Sequence, residues 1–386
     1  MLAIDSDIAR AARGQYPLSD KPGRRDLLAP GRSWVTLRPE PPASAVGDAA
    51  IRILALLLTS IAIAPASSQA PQTIRIAPPY ADAPEMAAHP AQPRGTLHSF
   101  IMRSGESHIY PGIRQLDNDV TRRRDDHGNR LAAPADQASE PAPYRRDVFV
   151  YIPAGYRPGS AAPLLVVQDG RDYVARVAAA LDTLIAEHRV PAMIAVMIQS
   201  GGGDAQGSQR GLEYDTMSGR YAEFVDQEVL PRVAQLYGVK FTSDPEGRAA
   251  MGGSSGATAA FSMAWFHPEW YRKVLSYSGT FVNQASPADP ATPHGAWDYH
   301  TRLIPQTARK PIRIWMEVGE KDLHWQDPET TYHNWPLAND RMATVLQAKG
   351  YDYRYVVAKE AIHVDGNVIA QTLPDALEWL WRDYSR

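Results

Sequence analysis

A chain of 386 residues with 44% hydrophobic and 9% aromatic content has enough apolar material for a large buried core. Its formal charge of −3, with no basic block, gives no support to nucleic-acid binding or a polybasic membrane anchor. It contains no cysteine, which removes disulfides, thiolate metal sites and a cysteine nucleophile.

The first feature along the chain is the apolar run Ile53–Ala64, preceded by Arg52 and followed by small residues up to Ala70. It is shorter than the roughly 20 apolar residues that span a bilayer. A charged flank, a short apolar core and small residues before Pro71 read as a signal peptide, with a buried core helix as the alternative. The expectation is an exported protein, periplasmic or secreted, that meets the membrane only through this segment. Upstream of it the chain is rich in Arg and Pro. Translation starting nearer Val46 and a cytoplasmic extension before an anchor are the two readings of that stretch. Residues 1–70 are therefore set apart from the fold. Residues 71–144, rich in Pro, Ala and charge, read as an irregular N-terminal extension packing on the core. Within it Thr96–Met102 is a candidate strand, and Asp117–Pro141 is a polar loop.

From Arg145 the pattern changes, and residues 145–386 read as one catalytic domain. Strands are expected at Asp147–Ile152, Pro163–Val167, Met193–Ile198, Arg248–Met251, Val274–Tyr277, Ile312–Met316 and Tyr353–Val357. Helical spacing recurs at Val174–Ile185, Tyr221–Val233, Ala257–Ala264, Asp340–Lys349 and Leu373–Tyr384. Strands alternating with helices predict a mostly parallel sheet covered on both faces, which is the α/β class.

The run Gly252-Gly253-Ser254-Ser255-Gly256 follows one such strand and opens a helix. A G-x-S-x-G run in that context is a nucleophile elbow, where a serine sits on a strained turn that admits only small neighbours. Ser254 is the nucleophile expected; Ser255 is the adjacent alternative. In this architecture an acid and then a histidine follow in chain order. Asp322, in the loop after the Ile312 strand, is the expected acid, with Glu320 its rival and Glu317 inside the strand. Of the eleven histidines, His363 lies between the last strand and the last helix and is the expected general base. His324 and His333 lie too near the acid loop, and His267 too near the helix after the nucleophile. The oxyanion hole is expected from the backbone N–H of Ser255 and that of Arg171 or Gly170 after the Pro163 strand. Trp297, Tyr299, His300, Trp325, His333 and Trp335 fall in loops on the carboxyl side of the sheet. They read either as a pocket for a carbohydrate or aromatic acyl group, or as loop packing. No paired histidines at helical spacing suggest zinc, so neither a metal nor a cofactor is expected.

Several ordered stretches carry a resemblance: Val150–Gly155, Val167–Gly170, Arg210–Tyr214, Glu228–Pro231, Gly247–Gly256, His267-Pro268, Ser278-Gly279 and Leu373–Leu377. Together they resemble the Putative esterase family of α/β-hydrolases, which includes enterochelin-esterase-like proteins, esterase D and the mycolyltransferases. The resemblance spans Arg145 to Tyr384. It implies an α/β-hydrolase fold, an oxyanion N–H from Arg171, and an Arg-x-x-Glu element, Arg210 and Glu213, at the mouth of the site or in a structural ion pair. Two departures stand out. His363 follows Ala361-Ile362 where enterochelin-esterase-like members have Gly-Gly or Ala-Gly, and the N-terminal sandwich domain of true enterochelin esterases is shortened or absent. The function implied is a serine carboxylic-ester hydrolase acting on a small-molecule ester, siderophore-like or carbohydrate. An acyltransferase with the same triad and a non-catalytic binding protein on the same scaffold are the alternatives. Arg210, Glu213, Trp297, Trp325 and Trp335 are the candidate substrate-binding residues.

Overall fold

A computed structural model describes residues 73–87, 92–116, 139–204 and 206–384. The apolar run at 53–64 and most of the polar loop at 117–138 lie outside the described residues. Nine strands form the central sheet. They are β1 (Thr73–Ile76), β2 (Thr96–Arg103), β3 (Arg145–Ile152), β4 (Leu164–Gln168), β5 (Ile194–Ile198), β6 (Arg248–Gly253), β7 (Lys273–Tyr277), β8 (Arg313–Gly319) and β9 (Asp352–Ala358). Their spatial order is β1-β9-β8-β7-β6-β4-β5-β3-β2, parallel from β1 to β5 and antiparallel across β5–β3 and β3–β2. This is the α/β-hydrolase arrangement expected from the alternation of strands and helices.

The central strands are apolar throughout because both faces are covered. In β4, Leu164 and Val166 enter one core while Leu165 and Val167 enter the other. The second core is closed by α1 (Gly170–Ala186) and α4 (Gly366–Trp381), through Val177, Leu181, Leu184, Leu373 and Leu377. The first is closed by α2 (Ser255–Phe266) and α3 (Trp335–Ala348). α2 has no polar face: every residue from Ser255 to Trp265 is buried, as suits a helix pressed under the middle of a sheet. α3 begins a turn before the expected Asp340, because the Asn334 side chain caps the Leu337 N–H at 2.9 Å and Pro336 fits the first turn.

The helical stretch from Arg220 to Tyr237 contains a π turn at Val225–Val229, and Tyr299–Leu303 forms another. Each is followed by a proline, Pro231 and Pro305, whose missing N–H and bulky ring break the ordinary i to i−4 ladder.

The stretch 71–144 includes the strand expected at Thr96–Met102, here β2, and a second strand, β1, that was not expected. It supplies both edge strands. β1 pairs in parallel with β9, and β2 pairs with β3 over eight residues. Four residues of Thr-Ile-Arg-Ile at an edge, with one half-exposed face, give too short an alternation to stand out in the sequence. Among the described residues no helix is long and apolar enough to cross a membrane.

Candidate active site

The chain reverses its path after β4: it steps outward to β5 on one side of β4, then returns to β6 on the other side. Such a switch point opens a crevice at the carboxyl ends of the strands. The Ser254 turn leaves β6 there, and the Asp169-Gly170 loop leaves β4 beside it.

Ser254 has φ 56° and ψ −131°, a left-handed conformation that a side chain adopts only under constraint. Its N–H donates to the Tyr277 carbonyl at 3.0 Å, and its carbonyl accepts from Thr280 and Ala257 N–H at 3.2 and 3.0 Å. The two positions before it are crowded. A Cβ on Gly252 would sit 2.3 Å from the Gly256 carbonyl carbon, and one on Gly253 would sit 2.1 Å from the Tyr173 hydroxyl. Ser255, the alternative nucleophile, is fully buried, and its Oγ accepts from Gln284 Nε2 at 3.2 Å.

Asp322 and His363 come together at the ends of β8 and β9. The His363 Nδ1 to Asp322 Oδ1 separation is 2.5 Å, and the same carboxylate oxygen accepts the Leu323 N–H at 2.6 Å. Asp322 is buried; the imidazole is 22% exposed. Glu320 stands away from the histidine and accepts the Glu360 N–H at 3.1 Å. Glu317 lies inside β8, as expected, and is buried. Its carboxyl is held well above the ordinary glutamate range by that burial, and then by the charges of Asp322 and Asp365. The ring edge of Trp335 meets His363 with centroids 5.9 Å apart and planes at 85°.

Among the described residues, the side-chain partner of Ser254 Oγ is Thr280 Oγ1 at 3.3 Å, and no hydrogen bond joins Ser254 to His363. The histidine segment nevertheless abuts the nucleophile turn: Val364 carbons lie 3.0 Å from where a Gly253 Cβ would stand, and the Val364 N–H donates to Ser278 Oγ at 2.9 Å. The Ser278-Gly279-Thr280 turn thus touches the serine turn and the histidine loop, while Ser278 N–H also bonds the Glu317 carbonyl on the acid strand. Catalytic hydrogen bonds are commonly loose without substrate.

The loop after β4 is clamped rather than open. Asp169 sits at φ 51° with its N–H on the Tyr214 hydroxyl, and Arg210 Nη2 holds its carboxylate at 2.8 Å. The Arg171 N–H donates to Gln199 Oε1 at 3.2 Å. An oxyanion at that N–H would have to displace the amide. Arg210 therefore braces this loop. Glu213 does not reach the mouth: it is buried and forms a two-pronged pair with Arg146, at 2.5 and 3.0 Å, while also accepting from Gln209 and the Gly201 N–H. Placing it in substrate binding is corrected; the reason is that no lone-pair direction is left facing a ligand.

The aromatic residues separate as well. Trp297 is buried against His300 and Tyr332, and burial lowers the His300 pKa to about 3, so it is a neutral core residue. Tyr299 is buried among Phe261 and Trp265. Trp335 is buried beneath His363 and His324. Trp325 alone of these tryptophans is exposed. Trp297 and Trp335 are thus packing residues, because each lies with its ring under other side chains. Sequence reasoning missed Thr280, Ser278 and Asp215. Asp215 is buried behind Ser255, takes a hydrogen bond from Gln284 at 3.2 Å, and is pushed up to about 7 by burial against the opposing pull of Arg210 and its hydrogen bonds. Only the Ser278-Gly279 pair had left any trace in the sequence.

The sequence profile of the family described as Putative esterase matches residues 139–379. The chain belongs to this family. The esterase-family chain is also similar to solved structures. The enterobactin esterase of Shigella flexneri, solved with 2,3-dihydroxy-N-benzoyl-glycine, is 19% identical with TM-score 0.48, over 65% of this chain and 58% of that one. The ferric enterobactin esterase of Salmonella typhimurium is 19% identical with TM-score 0.48, over 76% and 62%. A feruloyl esterase module from Clostridium thermocellum, complexed with sinapinate, is 15% identical with TM-score 0.49, over 82% and 97%. The match thus spans less than two thirds of the length of either enterobactin esterase. No curated protein matches the sequence.

Proposed function

We propose that this protein is a serine carboxylic-ester hydrolase in which Ser254 attacks the ester carbonyl, His363 is the general base and Asp322 orients the imidazole. The observation that carries the reading is the 2.5 Å bond from His363 Nδ1 to buried Asp322, set at the carboxyl ends of β8 and β9 beside a strained Ser254 turn. That bond fixes the tautomer with Nε2 free to accept the serine proton. Attack forms a tetrahedral oxyanion held by the Ser255 and Arg171 N–H groups, the second of these released from Gln199 as substrate enters. The imidazolium then returns its proton to the leaving alkoxide, giving alcohol and acyl-enzyme. Water, deprotonated by the same histidine, releases the acid.

A fluorophosphonate probe tests this directly. It should label the wild type at Ser254 and leave Ser254→Ala unlabelled; persistent labelling of that variant would overturn the assignment. Asp322→Asn should still be labelled, far more slowly, with kcat lowered by roughly 10³–10⁴-fold because the wrong tautomer is favoured. Ester hydrolysis outpacing transfer to added alcohols separates this function from acyl transfer. Export is part of the same proposal, supported by the signal-peptide-like apolar run at Ile53–Ala64. N-terminal sequencing of the mature protein tests that part.

A further inference from the structure

Six large hydrophobic side chains stand exposed among the described residues: Leu97, Ile101, Leu236, Leu323, Trp325 and Ile362. Three of them sit within three positions of the acid or the base. Leu323 follows Asp322 directly, Trp325 comes two residues later, and Ile362 immediately precedes His363. Their exposures of 41%, 45% and 61% belong to loops that are tied down, not to frayed ends. The Lys321 N–H donates to the Ala361 carbonyl at 2.9 Å, the Glu320 N–H donates to Ala358 at 2.9 Å, and a Lys321–Glu360 ion pair at 3.6 Å adds a third tie. The Trp325 N–H bonds the Asp322 carbonyl at 3.2 Å, and its own carbonyl is held by Asn334 Nδ2 at 3.1 Å. Exposed apolar side chains on tied-down loops that flank both the acid and the base mark a place where something apolar binds.

Sheet order says which part of a substrate meets them. Ser254 leaves β6. The oxyanion loop leaves β4 on one side of it, whereas the acid and base loops leave β8 and β9 on the other. An ester bound for attack turns its carbonyl oxygen toward the β4 side. Its leaving oxygen must face His363, which supplies that oxygen's proton. The group carried by the leaving oxygen then extends over the β8 and β9 loops. We propose that Leu323, Trp325 and Ile362 form an apolar rim that receives the alcohol portion of the ester, so that the enzyme selects esters of apolar alcohols. This rests on the serine-esterase reading above.

Two ester series separate the parts of the substrate. Ethyl, butyl and hexyl acetates share one acetyl-enzyme and differ only in the leaving alcohol, whereas ethyl acetate, butanoate and octanoate share the alcohol and differ in the acyl group. For the wild type, kcat/KM should rise roughly twofold to fourfold per added alcohol methylene. In Leu323→Ser/Trp325→Ser and in Ile362→Ser, the hexyl-to-ethyl ratio should fall by about tenfold while the octanoate-to-acetate ratio holds. Leu97→Ser, on the far edge strand β2, should leave both ratios unchanged. Because the acetyl-enzyme is common, the rate of its hydrolysis should not depend on the alcohol that left. A wild-type ratio near one, or variants that flatten the acyl series instead, would overturn the rim. Should no ester be turned over and no probe label Ser254, the esterase reading fails separately. In that case calorimetric binding of 1-hexanol, lost in the rim variants, supports the rim, and absence of binding overturns it.

Discussion

Asp322 offers His363 one carboxylate oxygen and leaves its other, Oδ2, buried without a protein partner, and Glu317 Oε2 is in the same condition. Two unpartnered carboxylate oxygens in one dry region are tolerable when one group stays protonated. Burial makes Glu317 that group. In the unfolded chain Glu317 ionises near its ordinary value of 4.5, so between there and its raised folded pKa the native state holds the extra proton. Stability is then fully present below pH 4.5 and declines as pH rises, at up to about 1.4 kcal/mol per unit for one proton. Asp215 acts in the same direction between 3.8 and about 7. Glu317→Gln keeps the shape and removes the titration. Urea melts at pH 5 and pH 7.5 should show the wild type losing more stability across that interval than the variant; parallel losses would mean that Glu317 ionises freely in the folded protein.

At the level of elements, the β6–α2 connection is where backbone and chemistry constrain each other. Gly252→Ala drives a methyl into the Gly256 backbone and should cost about 2 kcal/mol or more, with activity falling further than stability because Ser254 is displaced. Gly155→Ala is the matched comparison: it has φ 76° but open space around it, so it should cost about 1 kcal/mol and leave activity intact. Thermal melts and ester turnover of the two variants decide it. This turn was legible in the sequence because close approach admits only small residues. Asp322 and His363 were legible because chain order in this fold puts them in defined post-strand loops. What escaped was set by register between distant strands. Arg146 and Glu213 meet only because β3 lies beside the carboxyl end of β5. Thr280 reaches Ser254 only because β7 pairs with β6. Nor does the sequence tell a buried tryptophan from an exposed one: Trp335 and Trp325 sit ten residues apart in one loop-rich stretch, and their fates differ through the tertiary packing of α3.

For the whole molecule, the sheet is bounded at both edges by chain that precedes Arg145, with a completely buried ion pair between Arg146 and Glu213 close to one of them. Removing either partner alone would strand a charge at a cost of about 3–5 kcal/mol. The other edge bears on the site: Ile76 accepts the Lys359 N–H and the Tyr80 hydroxyl bonds the Lys359 carbonyl, four residues before His363. Tyr80 and Lys359 are 279 positions apart along the chain. Contacts of that separation carry a large closure entropy and form late during folding. The histidine loop should therefore be among the last parts to find its place. On dilution from denaturant, far-ultraviolet ellipticity should recover before ester turnover does, and substitution of Tyr80 by Phe should widen that lag. Simultaneous recovery of both signals would place the β1–β9 pairing inside the folding nucleus.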